Sequence, residues 1–219
     1  MTRAGVLCHA VGVTAEPGTH TTHKTAERKG VLRTPELVLC AVEEPLARAW
    51  ESVVDALSHS DSVVRVHRGS VLDVLAHAVV SPANSYGWMR GGIDAVYART
   101  FSEVEQNVRS AVLAYHGGEV PIGEAVVVPT GAPAPQWLIS APTMREPGEL
   151  LPADTVHPYL AAKAVFLLWR DGTLEDGPGV RDAVDVIAMP GLGTGIGGVP
   201  PEVCARQVAA AWSEVFPTP

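Results

Sequence analysis

Asn84 and Asp94 are polar residues placed where side chains could do chemistry, in a glycine-rich turn that follows an apolar run. The turn reads Ser81-Pro82-Ala83-Asn84-Ser85-Tyr86-Gly87-Trp88-Met89-Arg90-Gly91-Gly92-Ile93-Asp94, directly after Ala78-Val79-Val80. A second turn, Pro190-Gly191-Leu192-Gly193-Thr194-Gly195-Ile196-Gly197-Gly198-Val199-Pro200, follows the apolar run from Val184 to Met189. Glycines between a buried strand and a helix let the main chain approach a ligand closely, with N–H groups free to meet an anion. Two such turns imply a clamp for a phosphate-bearing ligand. The carboxylate and carboxamide of the first turn add acid–base and hydrogen-bonding capacity to that grip.

Each of these residues also has a plainer reading. An aspartate in a first helical turn is stabilised by the helix dipole, and an asparagine tolerates left-handed turn geometry. The glycines around them weigh toward a site. Four glycines in the six residues Gly193 to Gly198 exceed what a tight turn requires. Tyr86 and Trp88 suit stacking on a ligand and buried packing equally well. Cys204, near the start of the last helix, reads as a packed small residue because no general base lies near it in the pattern.

The elements that must position these turns follow from apolar periodicity. Residues 36–42 form a strand-like run. From Glu43 to Ser58 the residues Leu46, Trp50, Val53, Val54 and Leu57 fall at helical spacing, with Pro45 in the first turn. Ser62 to His67 reads as a strand, Val71 to His77 as a short helix, and Ile93 to Tyr115 as one long helix. Strands are expected over Ala125–Val128, Trp137–Ala141 and Asp185–Met189, and helices over Val156–Trp169 and about Pro201–Phe216. Trp50, Trp137, Trp169 and Trp212 fall inside elements and are assigned to the core. Strands alternating with helices imply a largely parallel sheet covered on both faces. Residues 1–34 show little periodicity and read as an N-terminal extension, and 35–219 as one domain.

Composition narrows the function. The 219 residues are 47% hydrophobic and 18% charged, with a formal net charge of −8. That fills one α/β domain and gives no broad attraction for nucleic acid or anionic membrane. Three widely spaced cysteines (Cys8, Cys40, Cys204) argue against a disulfide framework, and His20 and His23 lack partners at metal-ligand spacing. No apolar run approaches the ~20 residues of a membrane span and no signal-peptide pattern opens the chain, so a cytoplasmic protein is expected.

Gly193-x-Gly195-x-x-Gly198 matches the dinucleotide fingerprint, but only a terminal helix follows it, so the required βαβ unit and its acidic residue cannot be completed. No Gly-Lys-Ser/Thr is present for a Walker loop. Taken together and in order, the two turns resemble the macro domain family, from about residue 35 to 216. The likeness rests on Gly69-Ser70-Val71, on the segments from Ser81 to Ser85 and from Gly91 to Asp94, and on the segment from Gly193 to Pro200. Ala141-Pro142-Thr143-Met144-Arg145 is similar to a prokaryotic and phage branch.

The resemblance implies a three-layer α/β/α fold with a mixed, largely parallel sheet that binds ADP-ribose, with no other cofactor and no metal. It implies that Asn84 holds the distal ribose, that Gly91, Gly92 and Ile93 lie against it and the nearby phosphate, that Ala83 belongs to the ligand-binding set, and that Asp94 orients or activates water. Gly193, Thr194, Gly195, Ile196, Gly197 and Gly198 would cradle the diphosphate, and Pro190, Gly191 and Leu192 before them belong to the ligand-binding set. Ser70 and Val71 would meet the adenine. The expected partner is ADP-ribose or an ADP-ribosylated protein or nucleic acid, and the leading activity is hydrolysis of an ADP-ribosyl linkage. A non-catalytic reader, an ADP-ribose 1″-phosphate phosphatase and a scaffold without ligand are the alternatives. Three departures stand out. Ser70 replaces an aspartate that accepts from the adenine amine, Gly197 replaces an aromatic residue and is expected to leave the pocket more open, and Arg90 replaces a glycine.

Overall fold

In a computed structural model of the chain, residues 33–58, 63–175 and 177–217 are described. The proposed extension therefore lies almost wholly outside the described residues, as do Cys8, His20 and His23.

Alternation along the first strand, β1 (Glu36–Ala41), sets the layering. Leu37, Leu39 and Ala41 bury against one helical layer, while Val38 and Cys40 bury against the other. Such two-sided burial is the mark of a parallel sheet covered on both faces. β2 (Val64–Arg68), β3 (Ala78–Ser81), β4 (Val126–Pro129), β5 (Trp137–Ser140) and β6 (Val186–Met189) complete a six-stranded sheet in the order β2-β1-β6-β3-β5-β4. All neighbours are parallel except β4, which runs antiparallel to β5 at the edge. Pro129 is tolerated there because an edge strand has a free side.

α1 (Glu44–Leu57), α4 (His157–Asp171) and α6 (Pro201–Val215) cover one face through a core that includes Trp50, Trp169 and Trp212. Trp137 is half-buried and packs on the same layer. α2 (Gly92–Thr100) and α3 (Val104–His116) cover the other face with Tyr97, Phe101, Val108 and Val112. The fold is thus a three-layer α/β/α sandwich with a mixed sheet.

Two expectations need correction. The long helix from Ile93 to Tyr115 is two helices. Phe101 takes an extended backbone (φ −118°, ψ 102°), and Thr100 returns its hydroxyl to the Val96 carbonyl. The break buries Phe101 beside Tyr97, with ring centroids 6.3 Å apart, and restarts the chain at Val104. The short helix expected over Val71 to His77 is a single 3₁₀ turn, Val71–Asp73. The chain must already be extended by His77, whose N–H and C=O bond Val186 and Trp137 of the sheet. A one-turn helix, α5 (Val180–Ala183), lies between α4 and β6, and its Val180 and the following Val184 are buried.

Candidate functional site

In an open parallel sheet the loops at the carboxyl ends of the strands frame the ligand crevice. Here the ends of β1, β6 and β3, adjacent in the sheet, surround a cavity of about 710 Å³, within the range of small-molecule sites.

The two glycine turns face each other across it. A Cβ built on Gly91 would meet Ile196 Cδ1 at 2.8 Å, so the loops touch with no room to spare. Of the residues singled out from sequence, Ala83, Asn84, Gly91, Gly92, Ile93, Asp94, Pro190, Gly191, Gly193, Thr194, Gly195, Ile196 and Gly197 line this one cavity. Leu192 is instead buried in the core, and Gly198, at a left-handed φ of 71°, closes the turn behind the wall. Ser70 and Val71 also stand outside the wall. Ser70 caps the 3₁₀ turn, accepting from Leu72 N while Asp73 accepts from Ser70 N, and Val71 packs beneath the sheet.

The β6 turn holds its shape with main-chain bonds. Val199 N donates to Gly193 O, Gly198 N to Gly195 O and Leu151 N to Gly197 O, at 3.0–3.1 Å. Among the described residues, the amides of Thr194, Gly195, Ile196 and Gly197 donate to no protein acceptor, leaving a row of N–H groups beside the cavity. Gly197 does not open the pocket as expected. A Cβ there would meet Gly193 O at 2.6 Å and Leu151 Cδ1 at 3.0 Å, so Leu151 occupies the space that glycine leaves. Gly195 is the position with open space around it.

The β3 turn is held by side chains. Asn84 is only 6% exposed. Its Oδ1 accepts from Tyr86 N and Trp88 N, both at 3.2 Å, and its Nδ2 donates to Trp88 O at 2.7 Å. One Nδ2 hydrogen is left over. Main-chain bonds from Ser85 N to Met144 O and from Thr143 N to Ala83 O stitch this turn to the segment after β5. Asp94 is likewise 6% exposed, in the first turn of α2, and its Oδ1 accepts from Ser81 Oγ at 2.6 Å. Burial pushes the Asp94 carboxyl up to about 6; the Ser81 hydroxyl restrains that rise, and the charge of Glu105 adds to it. Such a group is ionised at neutral pH yet poised to take a proton.

Tyr86 donates its hydroxyl to Glu146 and is not part of the wall, whereas Trp88 is. Cys204 accepts from Leu192 N at 3.3 Å, and burial pushes its thiol up to about 12, as suits a packed residue. Sequence reasoning missed the third wall, formed by Val42, Glu43, Pro45 and Leu46 after β1, and the lining contributed by Met144, Pro147 and Gly148 after β5. It also missed Ser81 as the partner of Asp94. A polar residue ending an otherwise apolar strand was the available signal.

Residues 80–208 match the Macro domain family model. An uncharacterized protein of Aquifex aeolicus (strain VF5) is 35% identical over 145 residues, which is 66% of this chain and 78% of that protein. The macrodomain of Mycobacterium tuberculosis DarG superposes with a TM-score of 0.55 at 24% identity, over 68% of this chain and 89% of its own. An Oceanobacillus iheyensis macrodomain mutant, solved with ADPR, gives 0.53 at 12% identity over 87% and 83% of the two chains. The chain belongs to the macro domain family.

Proposed function

We propose that this macro domain binds ADP-ribose and hydrolyses an ADP-ribosyl linkage on a modified macromolecule or in a small ester. The observation that carries the reading is the buried, nearly neutral-titrating Asp94 on the same cavity as the unpartnered amides of Thr194 to Gly197. The ADPR-bound neighbour supports the choice of ligand.

In this reading the diphosphate lies against the β6 amides, which need no cation to hold a dianion. The distal ribose packs on Gly91, Gly92 and Ile93, and the spare Asn84 N–H donates to one of its hydroxyls. Water held by Asp94 attacks C1″. Its proton passes to the carboxylate, the C1″–O bond to water forms, and the bond to the leaving group breaks with its electron pair. Asp94 then gives that proton to the leaving group, which restores the ionised carboxylate. The free thiols of Cys40 and Cys204 suit a reducing compartment, and the cytoplasm is the proposed setting.

The test is release of labelled ADP-ribose from a mono-ADP-ribosylated protein or nucleic acid. Wild-type protein should release label, and Asp94→Ala should not, while both bind ADP-ribose. A reader without turnover is the second reading. It is favoured by Asn84, whose carboxamide is largely spent on fixing its own loop. Tight ADP-ribose binding with no release from any carrier would decide for it.

A further inference from the structure

Among the described residues that line the cavity, Arg90 is the sole cationic side chain. Its guanidinium carbon sits 4.1 Å from the centroid of the Trp88 ring, and that of Arg109, from α3, sits 3.6 Å from the same centroid. Most arginines described in this acidic chain are neutralised: Arg33, Arg48, Arg65, Arg68, Arg145 and Arg170 each pair with a carboxylate. Arg90 and Arg109 have no carboxylate within ion-pair distance among the described residues.

Two cations on one indole gain cation–π attraction from the ring and repel each other. An anion placed beside them would relieve that repulsion. The stack also orders a side chain that is otherwise costly to immobilise, so Arg90 meets a ligand with part of its entropy already lost. Trp88 itself is fixed from below, because Asn84 binds both its N–H and its C=O. Arg90 directly precedes Gly91, which abuts Ile196 of the amide cradle. Arg90 thus puts a cation on the cavity wall, one residue from the point where the two loops meet.

Resting on the reading of this site as an ADP-ribose site, we infer that Arg90 is a specificity-determining residue that contacts the phosphate next to the distal ribose, the one a nucleoside monophosphate lacks, with Trp88 and Arg109 as its positioning residues. The class of ligand it selects is a nucleoside diphosphate or its sugar ester, over a nucleoside monophosphate. A lysine could supply the charge but not the planar stack.

Titration calorimetry with ADP-ribose, ADP, AMP and adenosine at several salt concentrations tests this. Arg90→Gln should weaken ADP-ribose and ADP about tenfold, leave AMP and adenosine within about twofold, and flatten the salt dependence of ADP-ribose binding. Arg109→Gln should weaken ADP-ribose about two- to threefold with the same ligand preference, and Arg90→Lys should restore the salt dependence but only part of the affinity. An Arg90→Gln protein that binds ADP-ribose within twofold of wild type overturns the assignment. Equal losses for adenosine and ADP-ribose overturn it too, since they report a distorted cavity rather than a lost phosphate contact. Failure of the wild-type protein to bind any of the four ligands overturns the site reading itself.

Discussion

The β6 turn and the β3 turn meet across one cavity, yet they are built in opposite ways. The β6 turn fixes itself through main-chain bonds and offers main-chain donors, so its side chains are mostly absent. The β3 turn spends side chains on its own shape and offers side chains to the cavity: Asn84, Trp88, Arg90 and Asp94. A main-chain cradle recognises charge and shape but cannot exchange a proton at neutral pH. A buried carboxylate can, at the cost of folding energy. The division of labour predicts that damage to the β3 turn removes chemistry and damage to the β6 turn removes binding.

Asp94→Ala is the largest expected break. Removing a positioned base should lower the rate of ADP-ribose release by about 10²–10⁴-fold while changing ADP-ribose affinity little, measured as turnover against a calorimetric dissociation constant. Equal losses in both would erase the distinction between the turns. On the other side, Gly197→Ala and Gly195→Ala separate shape from access. The first drives a Cβ against Gly193 O and should destabilise the fold by about 1–3 kcal/mol, read as a lower melting temperature. The second meets nothing in the protein, so melting should hold and any loss of ADP-ribose affinity reports ligand contact.

Asp94 should also betray its cost. Its carboxyl titrates near 6 in the fold, against 3.8 as the ordinary value, so between those pH values the native state keeps a proton that the unfolded chain gives up. Stability therefore falls as pH rises from about 4 to about 6 and stays lower above that. Asp94→Asn carries no charge to desolvate and can still accept from Ser81. It should be more stable than wild type at pH 7, by on the order of 2–3 kcal/mol, with the gain vanishing near pH 4. Denaturant melts at the two pH values check it. No gain at pH 7 would mean that the carboxylate is better solvated than its burial implies.

What was legible in the sequence was whatever local pattern dictates. The apolar runs of β1, β3, β5 and β6 and the amphipathic spacing of α1 and α6 emerge within a residue or two, because buried strands and one-faced helices leave periodic traces. Both halves of the cavity were legible too, since glycine runs after strands have few other uses. The break at Phe101 was not, because tertiary burial of one ring overrode an unbroken helical period. Nor was the wall after β1. Val42, Glu43, Pro45 and Leu46 look like an ordinary strand-to-helix joint, and only the adjacency of β1 and β6 brings them to the site. The fate of Ser70 was hidden for a similar reason: its hydroxyl is claimed by a capping box that depends on a turn too short to predict.

The smallest effect is the most diagnostic of how the β3 turn works. Ser81 ends the strand and donates to Asp94 Oδ1 at 2.6 Å, stabilising the ionised carboxylate against the burial that opposes it. Ser81→Ala leaves the desolvation and removes the donor, so the carboxyl must rise further. The acid limb of the pH–rate profile, expected near pH 6 in the wild type, should move toward neutral by less than about one unit. Turnover should then fall at pH 6 and recover at higher pH, while ADP-ribose affinity above neutral pH stays as it was. A uniform loss at every pH would assign Ser81 to the geometry of the turn alone. A shift of the limb would show that the strand end tunes the proton on the helix start, a connection the main-chain donors of the cradle do not make.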